Sequence, residues 1–201
     1  MKPEEIEAQS FRIIENEAGS HAFTQDQWGV VRRIIHTTAD FEYLESVRFH
    51  PEAIARGIHA IRTGNAVFTD TKMAQAGIRQ KDLAEFGARV ECRIDDPQVA
   101  RAAKAKGATR AQTAVDLAAP ELEGGIYAVG NAPTALLRLI ELTREGRIQP
   151  ALIVGFPVGF VNAVESKTAL MALNTPYISN VGRKGGSNVA AAVVNALISL
   201  A

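Results

Sequence analysis

A single cysteine, Cys92, in 201 residues excludes a disulfide within the chain and any zinc or iron–sulfur centre built on clustered thiolates. The lone thiol fits a reducing, cytoplasmic setting. Net charge is missing too: 22 basic side chains offset 22 acidic ones, so there is no bulk field to hold a nucleic acid and any cationic site must be local. No apolar run approaches the roughly 20 residues of a membrane span. The most apolar stretch, 189–201, is interrupted by Asn195 and Ser199 and reads as a buried terminal helix. The start, Met-Lys-Pro-Glu-Glu-Ile-Glu, lacks the basic region and apolar core of a secretory leader, so export by that route is not expected. The phosphate-binding G-x-x-x-x-G-K-[ST], an early G-x-G-x-x-G, G-x-S-x-G, H-E-x-x-H and paired C-x-x-C are all absent.

What is present is ordinary globular material. Apolar residues make up 47% and charged ones 22%, and a chain of this size buries roughly 70% of its extended surface. From residue 66 onward, short β-branched or apolar runs at 66–69, 89–94, 126–129, 151–155 and 177–181 alternate with helical patterns at 97–106, 109–117, 133–145 and 161–173. Strand–helix alternation predicts an open α/β fold with a mainly parallel sheet flanked by helices. Asp96-Pro97 and Asn131-Ala132-Pro133 each put a capping side chain ahead of a proline, which marks a helix start. Helical patterns at 3–18, 24–36 and 51–63 precede the first strand as an N-terminal elaboration, and Thr24 with Gln27 fits a capping box. With no repeat or linker, residues 1–201 read as one domain.

In such a sheet, ligands bind beyond the carboxyl ends of the strands. The turns found there are Asp70-Thr71-Lys72, Gly130-Asn131-Ala132-Pro133, Gly155-Phe156-Pro157-Val158-Gly159-Phe160 and Gly182-Arg183-Lys184-Gly185-Gly186-Ser187. The last sets two cations beside flexible residues and a hydroxyl at a helix start, which suits an anion, and Lys72 and Arg110 add charge to the rim. Turns of the same composition also occur where nothing binds. Among the four histidines, His36 closes the second helix behind the stripe of Trp28, Val31 and Ile35. A helix C-terminus favours a cationic imidazole, and Asp40 or Glu42 could orient a ring nitrogen, so the position suits a general acid. A structural histidine ending a helix is the alternative, and the same account serves His21, His50 and His59. On the first helix Ser10 falls on one face with Ile6, Ile13 and Ile14, a lone hydroxyl among aliphatics expected to point inward, where it bonds either the carbonyl four residues back or a ligand.

Five segments taken together resemble the precorrin-8X methylmutase family of cobalamin biosynthesis: Ile35-His36-Thr37-Thr38-Ala39-Asp40; Asp70-Thr71-Lys72-Met73; Gly130-Asn131-Ala132-Pro133-Thr134-Ala135-Leu136; Gly155 to Val161 with Glu165-Ser166-Lys167; and Gly182 to Ser187. The resemblance spans nearly the whole chain. It implies an isomerase that moves a methyl group between adjacent carbons of ring C, giving hydrogenobyrinate or cobyrinate, with no cofactor and no protein-bound metal. It further implies His36 as acid–base residue, and contacts to an anionic corrinoid from Ser10, Arg33, Thr37, Lys72, Arg110, Asn131, Arg183, Lys184, Gly185, Gly186 and Ser187. A homodimer with substrate near the subunit boundary is expected on the same ground. Two rivals keep parts of this pattern: a corrinoid carrier that needs no proton donor, and a nucleotide- or sugar-phosphate-binding enzyme whose glycine turns cradle phosphate. A structural interaction module has less support, because the apolar residues follow core periodicities.

Overall fold

Helix starts follow their capping chemistry. The computed structural model describes residues 3–201; Met1 and Lys2, at the start of the segment read for a secretory leader, lie outside the described residues. Thr24 accepts from the Gln27 amide and the Gln27 side chain accepts from the Thr24 amide, the predicted reciprocal box. Asp96 likewise accepts from the amide of Gln98 ahead of Pro97.

The elements run α1 (Pro3–Ala18), α2 (Gln25–Thr38), α3 (Tyr43–Ser46), β1 (Val47–Phe49), α4 (Ala53–Arg62), β2 (Val67–Thr69), α5 (Lys72–Gly77) and α6 (Gln80–Ala84). They continue through β3 (Val90–Glu91), α7 (Pro97–Lys106), α8 (Arg110–Ala118), β4 (Ile126–Val129), α9 (Pro133–Arg144), β5 (Leu152–Gly155), α10 (Ala163–Met171), β6 (Tyr177–Asn180) and α11 (Ser187–Leu200). One six-stranded sheet has the order β1-β6-β5-β4-β2-β3. All pairs are parallel except β1 with β6, where Val47 lies opposite Asn180. The open, mainly parallel α/β architecture and its N-terminal helices are as predicted.

Every residue of β4 and β5 is buried, which is why they read as continuous apolar runs: helices cover both faces of a parallel sheet. On one face α2, α4 and α11 supply a core that includes Val31, Ile35, Ile61 and Val193. Leu136, Leu139 and Leu170 from α9 and α10, with Val115 from α8, fill the other. After β2 the chain turns to the α11 side, and after β4 to the α9 side, so the β2–β4 boundary is the topological switch point.

One strand was missed and three expectations need correction. Strand β1 was not predicted, because the exposed Arg48 between Val47 and Phe49 breaks the apolar run by which the buried parallel strands were read. Asn131 does not cap α9: its N-cap is Ala132, and no side chain of the turn itself caps it. Helix α10 begins at Ala163 rather than 161, because Asn162 takes a left-handed conformation (φ 60°) and Phe160 and Val161 project from the loop. Among the described side chains of α1 only Ile14 is buried; Ile6 and Ile13 are about half exposed, so its predicted inward stripe is largely an outward one.

Candidate active site

At the switch point the amide cradle ahead of α9 is already filled by the chain itself. The Asp70 carboxylate, 1% exposed at the end of β2, accepts from the amides of Gly130 (2.9 Å), Asn131 (2.8 Å) and Ala132 (2.7 Å). Asp70 thus supplies the cap that Asn131 was expected to provide. Burial pushes its carboxyl up, against the pull of the three amides. A phosphate would find this cradle occupied by a negative charge, which weighs against the nucleotide alternative.

The next turn packs tightly on the first. The Thr71 and Ser187 hydroxyls are 2.8 Å apart, and the Thr71 hydroxyl also accepts from the Ala74 amide to start α5. The Gly186 amide donates to the Phe156 carbonyl at 2.9 Å. At Gly185 a Cβ would lie 2.2 Å from that same carbonyl, so only glycine fits. Arg183 stays exposed, its guanidinium 5.4 Å from the Phe160 ring centroid. Lys184 is paired with Asp40, and with Glu42 at 2.9 Å.

That pair joins the turn to the end of α2. Helix α2 stops where Ala39 adopts φ 52° and donates its amide to the Ile35 carbonyl at 2.7 Å. His36 therefore stands in the last turn of the helix, exposed, with its ring 5.2 Å from Phe11 in edge-on geometry. Two hollows meet at this ring. One, about 180 Å³, lies toward α11 and includes Arg33, Thr37, Asn188 and Asn195. The other, about 350 Å³, lies toward α1 and is mainly aliphatic, with Ser10, Ile13, Ile14 and Phe41. The imidazole is thereby placed between a polar and an apolar surface, where a group with a greasy ring and acidic arms could reach it.

The structure brings His36, Arg33, Thr37 and Ser10 together. It engages several other predicted contacts internally. Lys72 donates to the Cys92 carbonyl and pairs with Asp95, both at 3.1 Å, so its charge is held at the β3 edge and not at the rim. Lys184, the Gly186 amide and the Ser187 hydroxyl are committed to the partners described above. Asp40 and Glu42, expected to orient His36, instead hold Lys184. Ser10 bonds the Ile6 carbonyl at 2.9 Å while still lining the apolar hollow, and Arg33 pairs with Glu7 at 3.0 Å beside Phe11. Arg183, Arg110 and the Gly185 amide make no ion pair or hydrogen bond among the described residues. Arg110 opens α8, whose Thr109 hydroxyl donates to Thr134 of α9 at 3.0 Å, which brings it to the side of the crevice where Asn131 is exposed.

Asn188 was missed by sequence reasoning. Its one signal was its place directly after Ser187, at the start of a helix following a cationic turn. A further hollow, about 570 Å³ and lined by Arg56, His59, Glu123 and Gln149 among others, lies at the opposite, amino ends of the strands. Among the described residues, no group of three His, Cys, Asp or Glu side chains is placed to hold a metal, and no helix is long and apolar enough to cross a membrane.

The doubly wound sheet, with an imidazole and a cationic glycine turn joined outside the carboxyl ends of its strands, defines an α/β enzyme of the open-sheet class. A family model described as precorrin-8X methylmutase matches residues 5–200, and the chain belongs to that family. The cobalt-precorrin-8 methylmutase of Priestia megaterium is 47% identical over 201 residues, covering 100% of this chain and 89% of the relative. That of Salmonella typhimurium is 44% identical over 203 residues, covering 98% and 95%. The crystal structure of a precorrin-8x methyl mutase from Thermus thermophilus superposes with a TM-score of 0.91 at 46% identity, covering 98% of this chain and 95% of that one. The protein is an isomerase that moves a methyl group within one molecule.

Proposed function

We propose that the protein acts in cobalamin biosynthesis on precorrin-8X or cobalt-precorrin-8, shifting a methyl group within ring C to give hydrogenobyrinate or cobyrinate, with His36 as the general acid and base. The observation that carries this reading is the exposed His36 ring standing where an aliphatic hollow meets a polar one. A methyl shift on a conjugated macrocycle is a rearrangement that needs no nucleophile. It needs a proton delivered to a ring nitrogen or adjacent carbon to draw electron density across the system, and taken back once the methyl group has migrated, so nothing is gained or lost overall. A histidine gives and takes protons near neutral pH, and the aliphatic lining of Ile13, Ile14 and Phe41 supports the ring face while that happens.

Arg183, Arg110 and the Gly185 amide, unpaired among the described residues, are groups free to take carboxylate arms, with the exposed Asn131 and, in the polar hollow at His36, Thr37 as further contacts. The two hollows at His36 lie at or below the lower end of the range of about 300–1,000 Å³ usual for small-molecule sites, so a macrocycle with its arms exceeds what one copy offers. A homodimer in which a second copy completes the site is part of this reading, supported by that shortfall and by the exposed Ile6 and Ile13 of α1. A cytoplasmic location is part of the same reading. The test is His36→Ala, followed by the visible spectrum of metal-free and cobalt-containing substrate. Turnover is expected to fall by about 10² to 10⁴, the usual contribution of a positioned acid–base group, while corrinoid binding stays within a few-fold. Near-normal turnover in this variant would remove His36 from the mechanism, and binding without conversion by the wild type would favour the carrier.

A further inference from the structure

The segment Glu165-Ser166-Lys167 belongs to the family-like pattern, yet nothing above gives its lysine a task. Lys167 is 1% exposed, the single lysine of the buried polar set among the described residues. It forms no ion pair there. Its ammonium donates instead to the Asn180 side-chain oxygen at 3.2 Å and to the Lys184 carbonyl at 2.8 Å. The Asn180 amide nitrogen donates to the same Lys184 carbonyl at 3.0 Å and to that of Val181 at 3.2 Å. One backbone carbonyl of the cationic turn thus receives two side-chain donors from beneath, while the Lys184 side chain reaches Asp40 and Glu42 on the other side. Gly182 (φ 92°) and Gly186 (φ 136°) give this turn a backbone with wide freedom. Burial alone pushes the Lys167 ammonium down, to about 8, as expected of a charge retained for its hydrogen bonds and not for a countercharge.

We infer that Lys167 is a positioning residue for the methyl shift: by clamping the Lys184 carbonyl from inside the fold, it fixes the height of the turn that presents Arg183 and the Gly185 amide to the substrate's carboxylates. The inference rests on the proposal that this turn binds those arms. Lys167 itself touches no substrate.

The clamped carbonyl belongs to the peptide bond that trypsin cuts after Lys184, which gives a readout independent of catalysis. In Lys167→Met, cleavage at Lys184–Gly185 is expected to accelerate at least tenfold while cleavage elsewhere in the chain stays within twofold. The same variant should raise KM about tenfold with kcat within threefold, and Lys167→Arg, which keeps a cationic donor, should recover part of the KM. Unchanged cleavage, acceleration at all sites together, or a loss of kcat at unchanged KM each overturns the inference. Arg183→Ala separates it from the proposal beneath it. If that variant leaves KM unchanged, the turn does not bind substrate and the site assignment fails, whatever the cleavage shows. If it raises KM and Lys167→Met does not, the Lys167 inference falls alone. Should Lys167→Met not be recovered folded, Lys167→Gln carries the same readouts.

Discussion

Lys184 and Asp40, 144 residues apart in the chain, form an ion pair that ties the cationic turn to the end of α2. Asp40 lies four residues beyond His36, so the pair sets the spacing between the turn and the imidazole. The Lys184 ammonium, first, and the Glu42 amide hold the Asp40 carboxyl below its ordinary range. With its folded value depressed, this carboxylate contributes stability that is complete above the ordinary aspartate range and is lost as pH falls through the folded value. Because the pair is partly exposed, it adds little to global stability, and its effect should appear in catalysis. Asp40→Asn is expected to leave the melting temperature at pH 7 nearly unchanged while lowering kcat about tenfold through misplacement of His36. Lys184→Ala should match it, and the double variant should be no worse than either. Additive losses in that double-mutant cycle would mean the two residues act separately.

Arg183 is the cation of the turn without an ionic partner among the described residues, so its contribution to binding should be screened by salt. Affinity for the corrinoid product is expected to fall between low ionic strength and about 1 M salt, where the screening length shrinks to about 3 Å. In Arg183→Ala the slope of that dependence should flatten. Arg110→Lys should also weaken binding, because an ammonium cannot reproduce a bidentate guanidinium–carboxylate contact. Equal salt slopes in wild type and Arg183→Ala would assign the arms to other groups.

Gly130 approaches the start of α11 so closely that a Cβ would lie 2.5 Å from the Ser187 Cα and 2.7 Å from its nitrogen. Backbone cannot yield as a side-chain tip can. Gly130→Ala should therefore destabilise by about 3 kcal/mol, at the upper end of overpacking effects, measured by urea denaturation. It should also loosen the Thr71–Ser187 contact, visible as faster amide exchange at the α11 start. A variant as stable as the wild type would show the two turns to be mobile relative to each other.

Lys167 makes stability depend on pH in a direction opposite to most lysines. Its folded value, about 8, lies below the ordinary 10.5, so between these pH values the unfolded chain binds a proton that the folded protein has released. Stability from this group therefore rises with pH across that window, by about 3 kcal/mol in all, at 1.36 kcal/mol per unit. A neutral amine retains two N–H donors, enough for both observed acceptors. Urea denaturation of wild type and Lys167→Met at pH 7 and pH 10.5 should show the variant losing ground by that amount. Parallel behaviour would mean the ammonium is hydrated in the folded state.

Much of this architecture was legible because parallel strands buried on both faces write uninterrupted apolar runs, as in Ile126–Val129 and Leu152–Gly155, and because Asp96 and Thr24 announce the helices they cap. The place of His36 in the last turn of α2 was legible for a similar reason: a helix end carries a local signal. The partners of Lys72 and Lys184 were not legible. Whether a cation in a glycine turn is free depends on carboxylates brought to it by the fold, and Asp40 stands 144 residues from Lys184. The outward face of α1 was misread because helical periodicity identifies a stripe without saying which side meets the core. Asp70 left no trace as a cap, since the amides it serves begin 60 residues later.

Asp70 has one more consequence. Nucleotides and sugar phosphates are natural ligands for a vacant nest of amides at a strand–helix junction. Here that nest is filled by the chain's own Asp70 side chain, so such a ligand would meet an occupied cradle before any contest of shape begins.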